Sequence, residues 1–380
     1  MRQHISPPSP QSASPRVPDR AVLFAMAAAS GIAVASIYYN QPMLGLILRD
    51  FPASPLARMI PTATQLGYAA GLFLLLPLGD LINRRRLIIG QFLLLALVLA
   101  VAAMAGTAMV LLAACLLIGA NATVAQQIIP VAADMADAQS RGRTIGTVMT
   151  GLLSGILLSQ SLAGFVAVQA GWQAMFWLAV PLALSGAVMM ALFLPHQPVK
   201  SVRSSYGRTL VSLLHLWRDS PALRRATLVQ ACLFATYAAF WSTLALHLQE
   251  PSYHLGADIA GAFGLIALTG VVAAPLAGRM ADHFGAGAIV RLTAVCVLAA
   301  WGLFLLWNQL AGMILATAIL SFGFQGAMVA NQHIVFSGAP EARSRLNTLF
   351  MTGIFLGGSA GAACAGMVWS TGGSRLRRRR

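Results

Sequence analysis

RGRTIGTVMTGLLSG, residues 141–155, recurs 202 positions later as RSRLNTLFMTGIFLG, residues 343–357. In that register Arg141 meets Arg343, Arg143 meets Arg345, and the run Met149-Thr150-Gly151 meets Met351-Thr352-Gly353. The same offset pairs Asp80 with Asp282, and Gly155, Gly164 and Gly171 with Gly357, Gly366 and Gly373. One register held over so many positions marks an internal duplication, with a small insertion needed to align the fourth and tenth apolar segments.

The duplicated unit is a set of membrane spans. The 380 residues are 58% hydrophobic and 9% charged, with a mean hydropathy of +0.75, whereas soluble domains are about 25% charged. Apolar stretches lie near 21–48, 61–80, 87–105, 109–131, 144–168, 172–194, 225–248, 257–278, 288–307, 311–335 and 346–369. Each is long enough, at about 1.5 Å per residue, to cross a hydrocarbon layer about 30 Å thick. They are rich in Leu, Ala and Gly without period-two alternation, which favours helices over an outer-membrane barrel. The expected fold class is therefore an all-α polytopic membrane protein with eleven spans. The first copy, 21–194, holds six; the polar segment 195–224 is a cytoplasmic loop; the second copy, 225–369, holds five. Six is even, so both copies enter the membrane from the same side as parallel repeats. Residues 1–20 are Ser/Pro-rich and read as a disordered cytoplasmic tail. A signal peptide cleaved around Ala27–Ser30 is the weaker reading, since the apolar run continues well past it.

The formal net charge is +15. Its Lys and Arg residues fall in short loops between spans, so they report topology and not nucleic-acid binding. With the N-terminus in the cytoplasm, eighteen lie on the inside, against Arg49 and Arg58 on the outside before the C-terminal tail. The positive-inside rule sets that orientation. Cys115, Cys232, Cys296 and Cys364 all fall within spans and read as packing residues, not a disulfide. No phosphate-cradling loop, cluster of metal ligands or nucleophile elbow occurs, so nothing supports an enzyme, a cofactor or a metal.

Two charged segments sit at matching places in the copies. The first is PLGDLINRRRLI, residues 77–88, where Asp80 ends a helix and Arg84, Arg85 and Arg86 follow. The second is GRMADHFG, residues 278–285, which keeps Gly278, Asp282 and Gly285 but has Ala286 and Gly287 in place of the basic step. A charged cluster at the edge of the hydrocarbon can hold in one state and break in another; plain anchoring of the loop by its arginines is the alternative.

These segments resemble the signature between spans two and three of the major facilitator superfamily, although Leu76 and Asn83 replace usual glycines. The resemblance implies two six-helix parallel halves, here without the twelfth span, and a substrate site between them near mid-membrane. It also implies a gating latch of Asp80, Arg84–Arg86, Asp134, Arg141, Gly278, Asp282 and Gly285, bracing the cytoplasmic side of an outward-facing state. Two signatures of proton-coupled exporters are weak: Cys115 stands where an Arg is usual, in ACLLIGANA, and Gln160 where a Pro is usual, in GILLSQSLAG. What remains in the fifth span is Thr147, Gly151, Gly155 and Ser159 on one helical face, repeated in the eleventh as Gly353, Gly357 and Gly361. Such a face allows static close packing or sliding between states.

In the first span, YYNQP occupies residues 38–42. Pro42 lacks an N–H, so the carbonyl of Tyr38 loses its helical partner and the helix must bend or open there. Freed backbone at that depth must face protein or a wet cavity. Tyr38, Tyr39, Asn40 and Gln41 thus form one wall of a central pathway; an aromatic belt at the outer interface is the alternative. YYNQP is also similar to a bacterial efflux-permease branch of the superfamily, sugar-efflux-like and drug-exporting. Other polar intramembrane candidates for the cavity are Gln126, Gln127, Tyr237, Trp241 and Gln325, together with Asn331 and Gln332. His247 and His333 lie nearer span ends and read as interface histidines. No acid lies deep in a span, and Asp134, Glu250 and Asp258 only flank them, which weakens a case for proton drive.

From the resemblance, the expected function is export of a small organic solute by proton antiport, in the bacterial inner membrane, by a monomer. A facilitator or importer without proton coupling is one alternative. Another is a truncated, non-transporting protein, because the chain ends STGGSRLRRRR where the first copy continues into its sixth span. The basic tail, 370–380, is placed outside by counting spans; truncation or a fold-back to the cytoplasmic side explains it.

Overall fold

The computed structural model describes residues 19–137, 140–195, 205–249, 255–304, 309–337 and 343–377. Most of the Ser/Pro-rich N-terminus, Lys200 and Glu250 lie outside these, as do the side chains of Asp80 and of residues 370–377. Among the described residues there is no strand. Eleven helices among the described residues are long and apolar enough to cross a membrane: Arg20–Asp50, Pro55–Gly79, Arg84–Ala103, Ala108–Met135, Arg141–Ala170, Trp172–Phe193, Pro221–Leu248, Ala257–Phe284, Ala286–Leu303, Leu310–Phe336 and Arg343–Trp369. They are the eleven expected segments. The boundaries that differ most are the start of the second span, which Pro55 extends with a 3-10 turn, and the end of the eighth, which runs on until Gly285; the fourth, seventh and ninth spans differ by about a turn at one end. Gly285 (φ +82°) and Gly171 (φ +83°) each join two consecutive spans in a left-handed conformation that side chains disfavour. The joining segment 195–224 contains a helix that hydropathy alone did not mark, Tyr206–Asp219. Its Leu213 packs among Leu223, Leu346 and Phe350.

The break in the first span falls at residues 36–39, between helices Arg20–Ala35 and Asn40–Asp50. Tyr38 keeps a partner there after all: its carbonyl accepts from the N–H of Gln41 at 3.3 Å, and the N–H of Tyr38 donates to Ala35 at 3.0 Å. The chain tightens into three-residue hydrogen bonds, so Pro42 is accommodated by winding and not by opening. The eleventh span continues as one helix to Arg377, so the described part of the tail makes no reversal.

The duplication governs the packing. Gly151 and Gly155 of the fifth span lie directly on the backbone of Ala27 and Gly31 in the first; Gly353, Gly357 and Gly361 of the eleventh lie on Thr227, Ala231 and Ala235 of the seventh. The face of small residues is thus the internal seam of each half, which favours the static reading of it. Between halves, the fifth span packs on the eighth and the eleventh on the second, a pair of contacts exchanged by a six-span shift. Leu93, Leu94 and Leu97 of the third span, and Leu292, Val295 and Leu298 of the ninth, are exposed where lipid would lie.

The bundle has two unlike ends. One carries Arg84–Arg86, Arg141, Arg143, Arg279 and the helix Tyr206–Asp219; the other carries the loops after the first, third and fifth spans. At the arginine-poor end the halves are sealed: Ser161 Oγ donates to the carbonyl of Gly261 at 3.1 Å, Gly164 abuts Ala257, and Gly45 abuts the side chain of Gln249. At the arginine-rich end, Arg141, Gly142, Arg143, Gly146, Thr147 and Thr150 of the fifth span are exposed. There the halves are bridged by the second and eleventh spans and by Tyr206, whose hydroxyl donates to the carbonyl of Leu74 at 2.8 Å.

Candidate substrate cavity

Between the halves, beneath that seal, lies a cavity of about 190 Å³, room for about six waters at about 30 Å³ each. Its wall takes Tyr38, Gln126 and Gln160 from the first half, and Tyr237, Gln325 and Gln332 from the second. None of the described side chains lining it is charged. The second half supplies three nearly parallel rings: Tyr237 and Phe324 have centroids 4.5 Å apart at 16°, and Phe324 and Phe234 lie 5.4 Å apart at 24°. Across the seam Tyr68 meets Phe355 at 4.3 Å, and Tyr68 also lies beside Gln126. One wall is therefore aromatic, and the facing one mixes amides with phenols.

Tyr38, Gln126, Tyr237, Gln325 and Gln332 of the sequence candidates are brought together here. Tyr39, Asn40, Gln41, Gln127 and Trp241 are not; all are at most 4% exposed and sit behind the wall. Asn40 Nδ2 donates to Thr64 Oγ1 at 2.7 Å, bridging the first and second spans. Gln41 Oε1 accepts from Gln160 Nε2 at 3.3 Å. Gln127 Nε2 donates to Gln91 Oε1 at 2.6 Å, and Asn331 Nδ2 donates to Gln230 Oε1 at 3.0 Å. Trp241 packs edge-on against Tyr237 at 6.1 Å. The reason is rotational: the tight turn at 36–39 points Tyr38 at the cavity and swings the next three side chains into the first half. Three polar wall residues went unmarked in the sequence as cavity candidates, namely Tyr68, Gln160 and Ser321, as did the rings of Phe234, Phe324 and Phe355. Tyr68 and Ser321 stand among apolar neighbours, and Gln160 lies between Ser159 and Ser161, where nothing in the sequence marks which side chain faces the cavity.

The expected latch residues divide by half. Arg84 Nε donates to the carbonyl of Gly79 at 2.9 Å, and its guanidinium pairs with Asp134 at 3.4 Å. Arg85 donates to the carbonyl of Ala191, and Arg141 Nε to that of Ala133 at 3.2 Å. All these partners belong to the first half, while Arg86 is exposed. In the second half Asp282 lies 3.8 Å from His333 Nδ1, both exposed. Asp80 closes the 3-10 turn Pro77–Asp80, its side chain outside the described residues. A side-chain atom added to Gly278 would meet Val329 Cγ1 at 3.8 Å, an ordinary contact, and Gly285 supplies the left-handed turn. In this conformation the described charged pairs stiffen each half and do not bolt the two together. His247 is buried at the arginine-poor end, edge-on to Trp369 at 6.4 Å. Among the described residues no group of three or more His, Cys, Asp or Glu side chains could hold a metal ion.

Comparison with known proteins places this geometry. The family model described as Major Facilitator Superfamily matches residues 23–362. An uncharacterized transporter of Escherichia coli O157:H7, YgaY, is 34% identical over 357 residues, covering 93% of this chain and 90% of that protein. A probable transporter of Streptomyces coelicolor is 34% identical over 354 residues, covering 92% and 82%. Among solved structures, a bacterial homolog of the human lysosomal transporter Spinster, inward-facing and unoccupied, superposes with a TM-score of 0.75 at 14% identity, covering 94% of this chain and 84% of that one.

Proposed function

The chain belongs to the Major Facilitator Superfamily and is a membrane transporter of that type; from this premise we propose that it moves a small uncharged organic solute by alternating access. The observation that carries the proposal is the cavity between two duplicated halves, with no charged side chain in its described lining and the halves in direct contact at the arginine-poor end. The positive-inside rule supports placing the arginine-rich end, and the N-terminus, in the cytoplasm of a bacterial inner membrane. In that orientation the sealed end is the outer one, and the conformation is inward-facing. Opening the outer face requires the fifth and eighth spans to part where Ser161 meets Gly261.

Two readings of the driving force differ. Likeness to efflux permeases supports export by proton antiport. The cavity wall, with neither a carboxylate nor a histidine among its lining residues, favours movement down the solute's own gradient, because a proton carrier needs an ionisable group whose affinity changes with access. Sealed proteoliposomes incubated with a bacterial metabolite extract, with and without a pH gradient, decide between them by mass spectrometry of their contents. The expected result is entry that depends on the protein and levels off at the outside concentration in both conditions. Accumulation only with the gradient would establish antiport, and no protein-dependent entry at all would overturn transport.

A further inference from the structure

On the outer surface of the first half, the second, third and fourth spans leave a groove of about 570 Å³ between them. Its walls include Leu74 of the second span, Leu94 of the third and Leu117 of the fourth, each close to half exposed. Gly90 lines it too, and nothing lies within 4 Å of where its side chain would begin, so the missing side chain opens the groove. Gln91 and Asn121 also line it, but both are at most 4% exposed. Gln91 Oε1 accepts from Gln127 at 2.6 Å, and Asn121 Nδ2 donates to the carbonyl of Leu117 at 2.8 Å. The surface left for a ligand is apolar, apart from Arg86 at the arginine-rich mouth. The three consecutive arginines are thus sorted by use. Arg84 pairs with Asp134 and Arg85 donates to the carbonyl of Ala191, whereas the guanidinium of Arg86 has no partner among the described residues. We propose that this groove is a binding site for one acyl chain of a net-anionic phospholipid from the leaflet at that end, with the headgroup phosphate held by Arg86.

A guanidinium at the edge of hydrocarbon matches a phosphate, which it meets with two parallel hydrogen bonds. A zwitterionic headgroup would add an ammonium beside three arginines, and no acid is among the described residues lining the groove. Like charges repel there, so a headgroup of the phosphatidylglycerol type fits better than phosphatidylcholine. From Arg86 to Leu94 the third span rises about 12 Å at about 1.5 Å per residue, most of the roughly 15 Å that one leaflet contributes to the hydrocarbon core. A chain laid along the groove therefore keeps its phosphate at the interface. Its other side rests on the second span, which packs against the eleventh. The lipid thus touches an element through which the two halves meet, and its binding is independent of what the cavity carries.

The test is native mass spectrometry of the delipidated full chain in detergent, titrated with dioleoylphosphatidylglycerol, dioleoylphosphatidylcholine or glycerol 3-phosphate. The phosphatidylglycerol should bind about fivefold tighter than the phosphatidylcholine, and glycerol 3-phosphate should not bind. Arg86→Gln should erase the preference, while Arg143→Gln, at an exposed position outside the groove, should keep it. Gly90→Leu should fill the groove and weaken both lipids by about fivefold or more, as about ten lost atom contacts would, with their ratio unchanged. Equal binding of the two lipids, or a preference that survives Arg86→Gln, would overturn the headgroup assignment. Unchanged affinities in a cooperatively melting Gly90→Leu chain would overturn the groove. Glycerol 3-phosphate bound as tightly as the lipid would make a free phosphate the ligand, and a dimer dissolved by Gly90→Leu would make this face a contact between copies; either result overturns the lipid site.

Discussion

Thr64 carries two hydrogen bonds in the middle of the second span: it donates to the carbonyl of Ile60 at 3.0 Å and accepts from Asn40 at 2.7 Å. Asn40 is 2% exposed, so removing the acceptor strands a buried amide N–H. Thr64→Val should therefore lower stability by about 1 kcal/mol, read as a lower melting temperature, while solute affinity stays unchanged. A fall in affinity without a fall in melting temperature would return Asn40 to the pathway. This residue shows the limit of the sequence. Its polarity within an apolar run was plain, but whether it faces the cavity or a neighbouring helix depends on the winding of residues 36–39, a tertiary matter. Gln160 is the converse: it stood out as a departure from an exporter signature, and only its neighbours show it on the cavity wall.

At the scale of the element, the seam between the first and fifth spans depends on backbones in direct contact. A side-chain atom added to Gly31 would sit 2.6 Å from the carbonyl oxygen of Gly151, and one added to Gly155 would run into Gly31 itself. Gly155→Leu should cost about 3 kcal/mol and abolish recovery of folded protein. Gly146→Leu on the same helix, where nothing lies within 4 Å, should change stability by less than about 0.5 kcal/mol. Equal tolerance of both would mean that the seam is not close-packed. This part of the fold was legible because the four-residue spacing of small residues is a local pattern that recurs at fixed offset in the eleventh span. The arginines beside it were less so. Arg84 and Arg141 were expected to brace the cytoplasmic side of an outward-facing state, and spacing does not say which partners they take in this conformation, where the described ones, Asp134, Gly79 and Ala133, belong to the first half.

For the whole molecule, the eleven spans and the duplication could be read directly, since hydropathy and register are written in consecutive residues. The side on which the halves close could not, because it is a property of one state and not of the chain. The central claim is that this state alternates with its opposite. It is tested most directly by spin-label distances in nanodiscs, after replacing the four cysteines. One pair of labels sits at Ala53 and Gln309 on the arginine-poor end and the other at Gly142 and Gly287 on the arginine-rich end, all exposed positions. The account predicts two populations with opposite signs: where the first pair is close the second is far, and where the first is far the second is close. A single, unchanging distance for both pairs, whatever the solute, would contradict it.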